Sequence, residues 1–296
     1  MKLKIALGLA ALVSTSAAAT PFFLDMNVDY GGNANTANGA TTTGWLDELQ
    51  FAYNSWSTVV DSNGNGTIDA GDVITSTGGL LGSGFNFGSD FSNNMFTSLL
   101  PVQTGPIGPS NNNYLNSWNL AFGFNDLVGT VQGDGSVNWN SGTISMFVTT
   151  DLGGCIGSAS LSCYTQVFDM NVTFGGDIGN GTIIQGYLDN FNKTDQINGV
   201  DAGSIFWTDY QGANTSFSDI YDDQFLAGMA EMFRFIVDQN TQALPNVIGY
   251  DGTTFTLAKA THSGRVSFSV PEPTSLAILG LGLLGMGFRG RMKRRA

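Results

Sequence analysis

Residues 61–72, DSNGNGTIDAGD, carry oxygen-bearing side chains at alternate positions around a glycine. Asp61, Asn63 and Asn65 stand at positions 1, 3 and 5 of a twelve-residue loop. Gly66 takes the sharp turn, Thr67 offers its carbonyl, and Asp69 and Asp72 stand at positions 9 and 12. Ca²⁺ takes roughly six to eight oxygens, and short acids and amides spaced this way around a tight turn converge on one point. The spacing predicts Ca²⁺ as a cofactor held by Asp61, Asn63, Asn65, Thr67, Asp69 and Asp72. The same residues also suit an Asn-Gly hairpin turn, and both readings stay open. A second stretch keeps Asn198, Gly199 and Asp201 but has Ser204 where the first has Asp72, which predicts a turn alone.

Other chemistry is sparse. The calcium spacing resembles EF-hand-like and dockerin-like loops, although Asp72 is a shorter arm than the usual glutamate and no obvious helices flank it. Cys155 and Cys163 are the only cysteines; an oxidising compartment would pair them in a disulfide closing CIGSASLSC. His262 is the only histidine, and THSG predicts a hairpin turn around it. No GxSxG or Walker loop is present, so a non-enzyme is expected. A polysaccharide hydrolase remains an alternative, because paired carboxylates can meet in any fold rich in acids.

Two ends flank this body. Residues 1–19 combine Lys2 and Lys4, an apolar run and Ala17, Ala18 and Ala19, the three regions of a secretory signal peptide. Residues 270–296 open with VPEPTS, continue through an apolar segment at 276–288 and close with RGRMKRRA. Thirteen helical residues reach roughly 20 Å, short of a hydrocarbon core of about 30 Å. The basic cluster strengthens the membrane reading, since Lys and Arg beyond an apolar segment mark the cytoplasmic side. This three-part tail closely resembles the PEP-CTERM sorting signal, with Pro271, Glu272 and Pro273 as the motif and Arg289, Arg291, Arg294 and Arg295 in the basic end. The resemblance implies exosortase as processing partner and export by bacteria that make extracellular polysaccharide. It also implies an inner-membrane precursor with a periplasmic body, later delivered to the cell surface or matrix.

The elements that must position these residues read as strands. Hydrophobic residues make up 42% of the 296-residue chain and charged residues 12%, about half the ordinary share, while glycine (40 residues) is about twice as common as usual. Alternating or β-branched runs at 25–30, 49–60, 120–131, 143–150, 164–174, 182–188, 253–258 and 265–270 predict a mainly β body, 20–269, of sandwich type. Residues 82–113 read as loop with short strands. Between 218 and 240 a short helix followed by a strand at FRFIV is expected, with Met229 and Phe233 in the core. An internal duplication of 25–74 and 169–206 is also expected, because DMNVDYGG returns as DMNVTFGG, GWLDEL as GYLDNF and NGTIDAGDVI as NGVDAGSIF, in the same order.

Within the body only Lys193, Arg234, Lys259 and Arg265 oppose 23 acids, a net charge of −19. Such a surface repels phosphate backbones, which excludes nucleic acid as a partner. The function expected is a surface- or matrix-associated structural or adhesive protein that contacts extracellular polysaccharide, with a weaker likeness to flocculation-associated PEP-CTERM proteins. A carbohydrate-binding module is the alternative, with Trp45, Trp56, Trp118, Trp139 and Trp207 as stacking platforms.

Overall fold

The computed structural model describes residues 19–86, 98–101, 111–114, 116–151, 153–154, 161–178, 181–223, 233–237 and 244–270. The signal peptide, the sorting tail with its apolar segment, Cys155 and Met229 lie outside the described residues. So do the side chains of Phe233 and its strand.

The body is mainly β. Its strands in chain order are β1 (Phe22–Leu24), β2 (Leu46–Val60), β3 (Val73–Gly79), β4 (Ser98–Pro101), β5 (Asn119–Val131), β6 (Val137–Ser141), β7 (Thr143–Thr149), β8 (Thr165–Asp177), β9 (Thr182–Asp189), β10 (Gln196–Ile197), β11 (Val200–Asp201), β12 (Phe206–Tyr210) and β13 (Ala213–Ser216). The helix α1 (Phe217–Asp222) follows, then β14 (Phe233–Val237), β15 (Val247–Tyr250), β16 (Thr254–Leu257) and β17 (Ala260–Phe268). The expected order of short helix then strand is present. Ser216 caps α1, its Oγ accepting from Asp219 N at 3.0 Å, and the helix ends at Asp222.

The two-sheet layout expected from strand spacing is replaced by a closed barrel. β2 pairs β17 along one edge and β3 along the other, and the remaining antiparallel pairings run β17, β14, β9, β8, β6 and β7, β5, β3. This makes an up-and-down ring of eight positions, with β6 and β7 sharing one and divided at Gly142, whose φ is 139°. Period-two alternation serves a sandwich and a barrel equally, so only the β2–β3 pairing decides between them.

The two ends of the ring differ. At one end the connections are long, and Phe22, Phe206, Phe217 and Phe268 plug the interior, with Phe268 ring centroids 5.1–5.6 Å from the other three. The body's own ends meet here too: Thr20 N donates to Phe268 O at 2.7 Å, and Val270 N to Thr20 Oγ1 at 2.9 Å. At the other end, roughly 45 Å away along β2, the connections β5–β6 and β8–β9 are short and β2–β3 is the loop 61–72.

The expected duplication does not extend to a shared backbone in its first matched pair. Residues 169–176 lie inside β8, whereas 25–32 form a turn-rich segment in which only Asp25 makes a β-bridge. Short polar side chains capture the first copy's backbone: Asp25 Oδ1 accepts from Asn27 N at 2.9 Å, Asp29 Oδ1 from Gly31 N at 2.8 Å, and Asn27 has φ 54°. Met26 and Met170 are both fully buried, so the shared letters mark shared burial on different backbones. The two segments also touch, through Asn198 Nδ2 donating to Met26 O at 2.8 Å. Asn198 and Gly199 make the tight turn between β10 and β11, as the spacing predicts.

Candidate functional site

The loop 61–72 joins β2 to β3 at the short-connection end and is held to two neighbouring hairpins. Asp61 N donates to Thr253 O at 2.8 Å and Gly71 N to Val131 O at 3.0 Å. All six sequence-predicted ligands lie in this loop, and their side-chain oxygens are met from within it and by Tyr250. Asp61 Oδ1 accepts from Gly64 N (2.8 Å) and Asn65 N (3.2 Å), while Oδ2 accepts from Gly66 N and Tyr250 Oη, each at 2.8 Å. Asp72, fully buried, accepts from Ser62 N at 2.8 Å and Asp69 N at 3.0 Å. Asp69 accepts from the side-chain amides of Asn63 (3.0 Å) and Asn65 (2.6 Å). The Tyr250 hydroxyl, followed by the loop amides, holds the Asp61 carboxyl below its usual range, and the same bond raises the Tyr250 phenol.

The turn geometry of a calcium loop is therefore present, with Gly66 at φ 76°, but Asn63 and Asn65 direct N–H groups at Asp69. Their oxygens meanwhile accept backbone N–H groups from Asn65 and Thr67. Among the described residues no group of three or more His, Cys, Asp or Glu side chains is placed to hold a metal ion. Capture of a cation requires both amides to rotate and release Asp69.

A second site was missed in the sequence. His262 sits within β17 rather than in a hairpin turn, paired with Tyr53 of β2 and in inward register with Val266 and Phe268. It borders a cavity of about 330 Å³ inside the barrel, at the short-connection end. Its Nε2 lies 2.7 Å from Ser55 Oγ, its ring stacks on Tyr53 at 4.8 Å, and its buried Nδ1 has no hydrogen-bond partner. Ser57 Oγ donates to Ser76 Oγ at 2.9 Å in the same wall. Burial lowers the His262 pKa to about 4, so the imidazole is neutral near pH 7. The signal was legible: on β2 the inward run Phe51, Tyr53, Ser55, Ser57, Val59 puts two serines where alternation predicts apolar residues.

The Ser55–His262 contact has the length of a nucleophile–base pair, but a base with so low a pKa, lacking a group to orient Nδ1, suits proton abstraction poorly. Asp177 is the only carboxylate among the described residues lining the cavity, so the two-carboxylate geometry of glycoside hydrolysis is not assembled there.

The tryptophans divide. Trp118 is fully buried and donates through Nε1 to Asn112 O at 2.7 Å. Trp56 is covered by Gly82 and Gly84, where an added Cβ would lie 2.2 and 2.4 Å from the ring. Trp139 borders the cavity. Trp45 and Trp207 remain partly exposed and flank buried Phe23, at centroid distances of 5.0 and 6.3 Å.

Cys163 ends the short turn Leu161–Cys163 and is not a free thiol. Among the described residues no helix is long and apolar enough to cross a membrane.

Comparison with known proteins yields one match, to the PEP-CTERM protein-sorting motif, over residues 269–295. It includes Pro271, Glu272 and Pro273 and the basic residues Arg289, Arg291, Arg294 and Arg295. No curated protein and no solved structure matches the chain. The chain thus carries a PEP-CTERM sorting signal, which implies an exported protein processed by exosortase from a membrane-anchored precursor.

Proposed function

We propose that this signal delivers the acidic barrel to the surface or extracellular matrix of a polysaccharide-producing bacterium, where it serves as a non-enzymatic structural or adhesive module. One observation carries the reading: the body's two ends meet at the Phe-plugged end of the barrel, through the Thr20–Phe268 and Thr20–Val270 hydrogen bonds. The tail therefore leaves from the end opposite the acidic loop and the cavity. A precursor held by its tail would present both outward from the membrane, with the body in the periplasm. A closed ring also removes most sheet edges, which suits a module kept at high local density without strand-to-strand aggregation. Deleting the gene should reduce flocculation or surface attachment, and adding back the purified chain should restore it; unchanged attachment in the deletion strain would refute the adhesive role.

Two finer assignments accompany this reading. Ca²⁺ is proposed for the loop 61–72, where an ionised Asp61 and the left-handed Gly66 favour it, and where binding would work by rotating Asn63 and Asn65. A disulfide between Cys155 and Cys163 is proposed from the oxidising compartment that export implies. Carbohydrate binding is a second reading, favoured by the Trp45–Phe23–Trp207 patch on the outer face. Trp207→Ala should weaken retention on the host's polysaccharide if that patch is a platform.

A further inference from the structure

We propose that the cavity inside the barrel is a binding site for a small uncharged alcohol with a flat apolar body, its hydroxyl held at Nδ1 of His262. A volume of about 330 Å³ lies at the lower end of ligand-site volumes, and a closed ring of eight strands encloses space for one small ligand. The wall sets the rings of Tyr53, Phe124 and Trp139, which offer flat faces, beside polar side chains that include Ser55, Asp177 and Lys259.

The polar groups in the wall decide the ligand class. Ser57 and Ser76 bond to each other, Ser55 bonds to His262 Nε2, Thr261 donates to Asn54 Oδ1, and Asp177 and Lys259 have interactions of their own, so these groups have partners. That leaves Nδ1, a buried polar atom without one, and such an atom is costly to leave unmet. In one neutral tautomer Nδ1 accepts a hydrogen bond and in the other it donates. A hydroxyl does both and fits either tautomer, whereas a carbonyl or an ether fits only one. A sugar would need several planar polar partners for its many hydroxyls, and beside His262 this wall supplies only Asp177 and Asn246 of that kind, with short serine and threonine hydroxyls making up most of the rest. A charged ligand would lose its hydration in a wall whose two charged side chains, Asp177 and Lys259, already have interactions of their own. The site concerns the barrel interior and is independent of the sorting signal at 269–295.

The chain's single histidine makes the test direct. The full chain, labelled with ¹⁵N-histidine, gives one imidazole, and its Nδ1 resonance is followed by NMR as benzyl alcohol or toluene is added. These probes share size and ring and differ in the hydroxyl. The expected result is a saturable Nδ1 shift with benzyl alcohol, with an affinity about fivefold above that of toluene, the scale of one neutral hydrogen bond. Ser76→Phe, which fills the cavity, should abolish the shift while the chain still melts cooperatively. No shift with benzyl alcohol means that water alone meets Nδ1 and overturns the proposal. Equal affinities for the two probes, or a shift that persists in a folded Ser76→Phe chain, overturn it as well. If Ser76→Phe fails to fold, the comparison of the two probes on the unmodified chain still decides.

Discussion

Lowering the pH should destabilise this barrel through His262 in a way that one substitution can isolate. The imidazole titrates near 6.5 in the unfolded chain and at about 4 in the fold, because burial disfavours its charged form. Above pH 6.5 both states are neutral and no stability is lost. As pH falls below 6.5 the unfolded chain takes up a proton that the fold refuses, so stability declines until the folded pKa is reached. The full effect is about 3 kcal/mol, and roughly 2 to 3 kcal/mol is lost by pH 4.5. Tyr53 stacks on the ring and is itself kept neutral by burial, while Lys259 and Asp177 border the same cavity. Carboxylates also contribute to acid unfolding, including Asp61 with its lowered pKa, but they are common to a His262→Gln variant and cancel in the comparison. Thermal melts of both proteins at pH 7.5 and 4.5 should show the original chain losing about 5 to 10 °C more than the variant. Equal losses in the two proteins would mean that His262 is not buried as described and would refute the reasoning.

Phe268→Ala should cost about 3–5 kcal/mol, because the ring touches Phe22, Phe206 and Phe217 at zero exposure and the plug has no polar route to relax; urea unfolding measures it. Millimolar Ca²⁺ should raise the melting temperature, and Mg²⁺ should raise it much less, because Mg²⁺ demands stricter octahedral geometry. An unchanged melt with Ca²⁺ leaves the loop 61–72 as a hydrogen-bonded turn. Alkylation and mass spectrometry of the exported protein should find no free thiol and a peptide linking Cys155 to Cys163; two alkylated cysteines would contradict the disulfide.

Strands with a clean period of two were legible in the sequence, and their faces came with them. Seven of the eight expected strands form, among them β2, β5, β7, β8 and β9. The eighth, at 25–30, fails because Asp25 and Asp29 bond backbone amides locally, and a pattern of apolar letters does not register that competition. Barrel closure was not legible, since it depends on β2 being long enough to pair β3 and β17 on opposite edges. β1 and β12 were missed because each is short and finds its stability in the Phe22–Phe206 contact across 183 intervening residues. The acidic loop was legible as a loop, while the direction of the Asn63 and Asn65 amides depends on Asp69 and is a property of the folded turn. His262 was read as turn because glycine follows two residues later, yet the inward register it shares with Val266 and Phe268 was available in the same letters.

The central claim, an exported barrel released from its tail by exosortase, is tested most directly by the mass of the protein recovered from its host with and without exosortase. The account predicts a body shortened near Pro271-Glu272-Pro273 at the surface or in the medium of the parent strain. It predicts full-length protein retained in the membrane fraction of the strain lacking exosortase. Full-length protein in equal amounts and in the same fraction of both strains would contradict it.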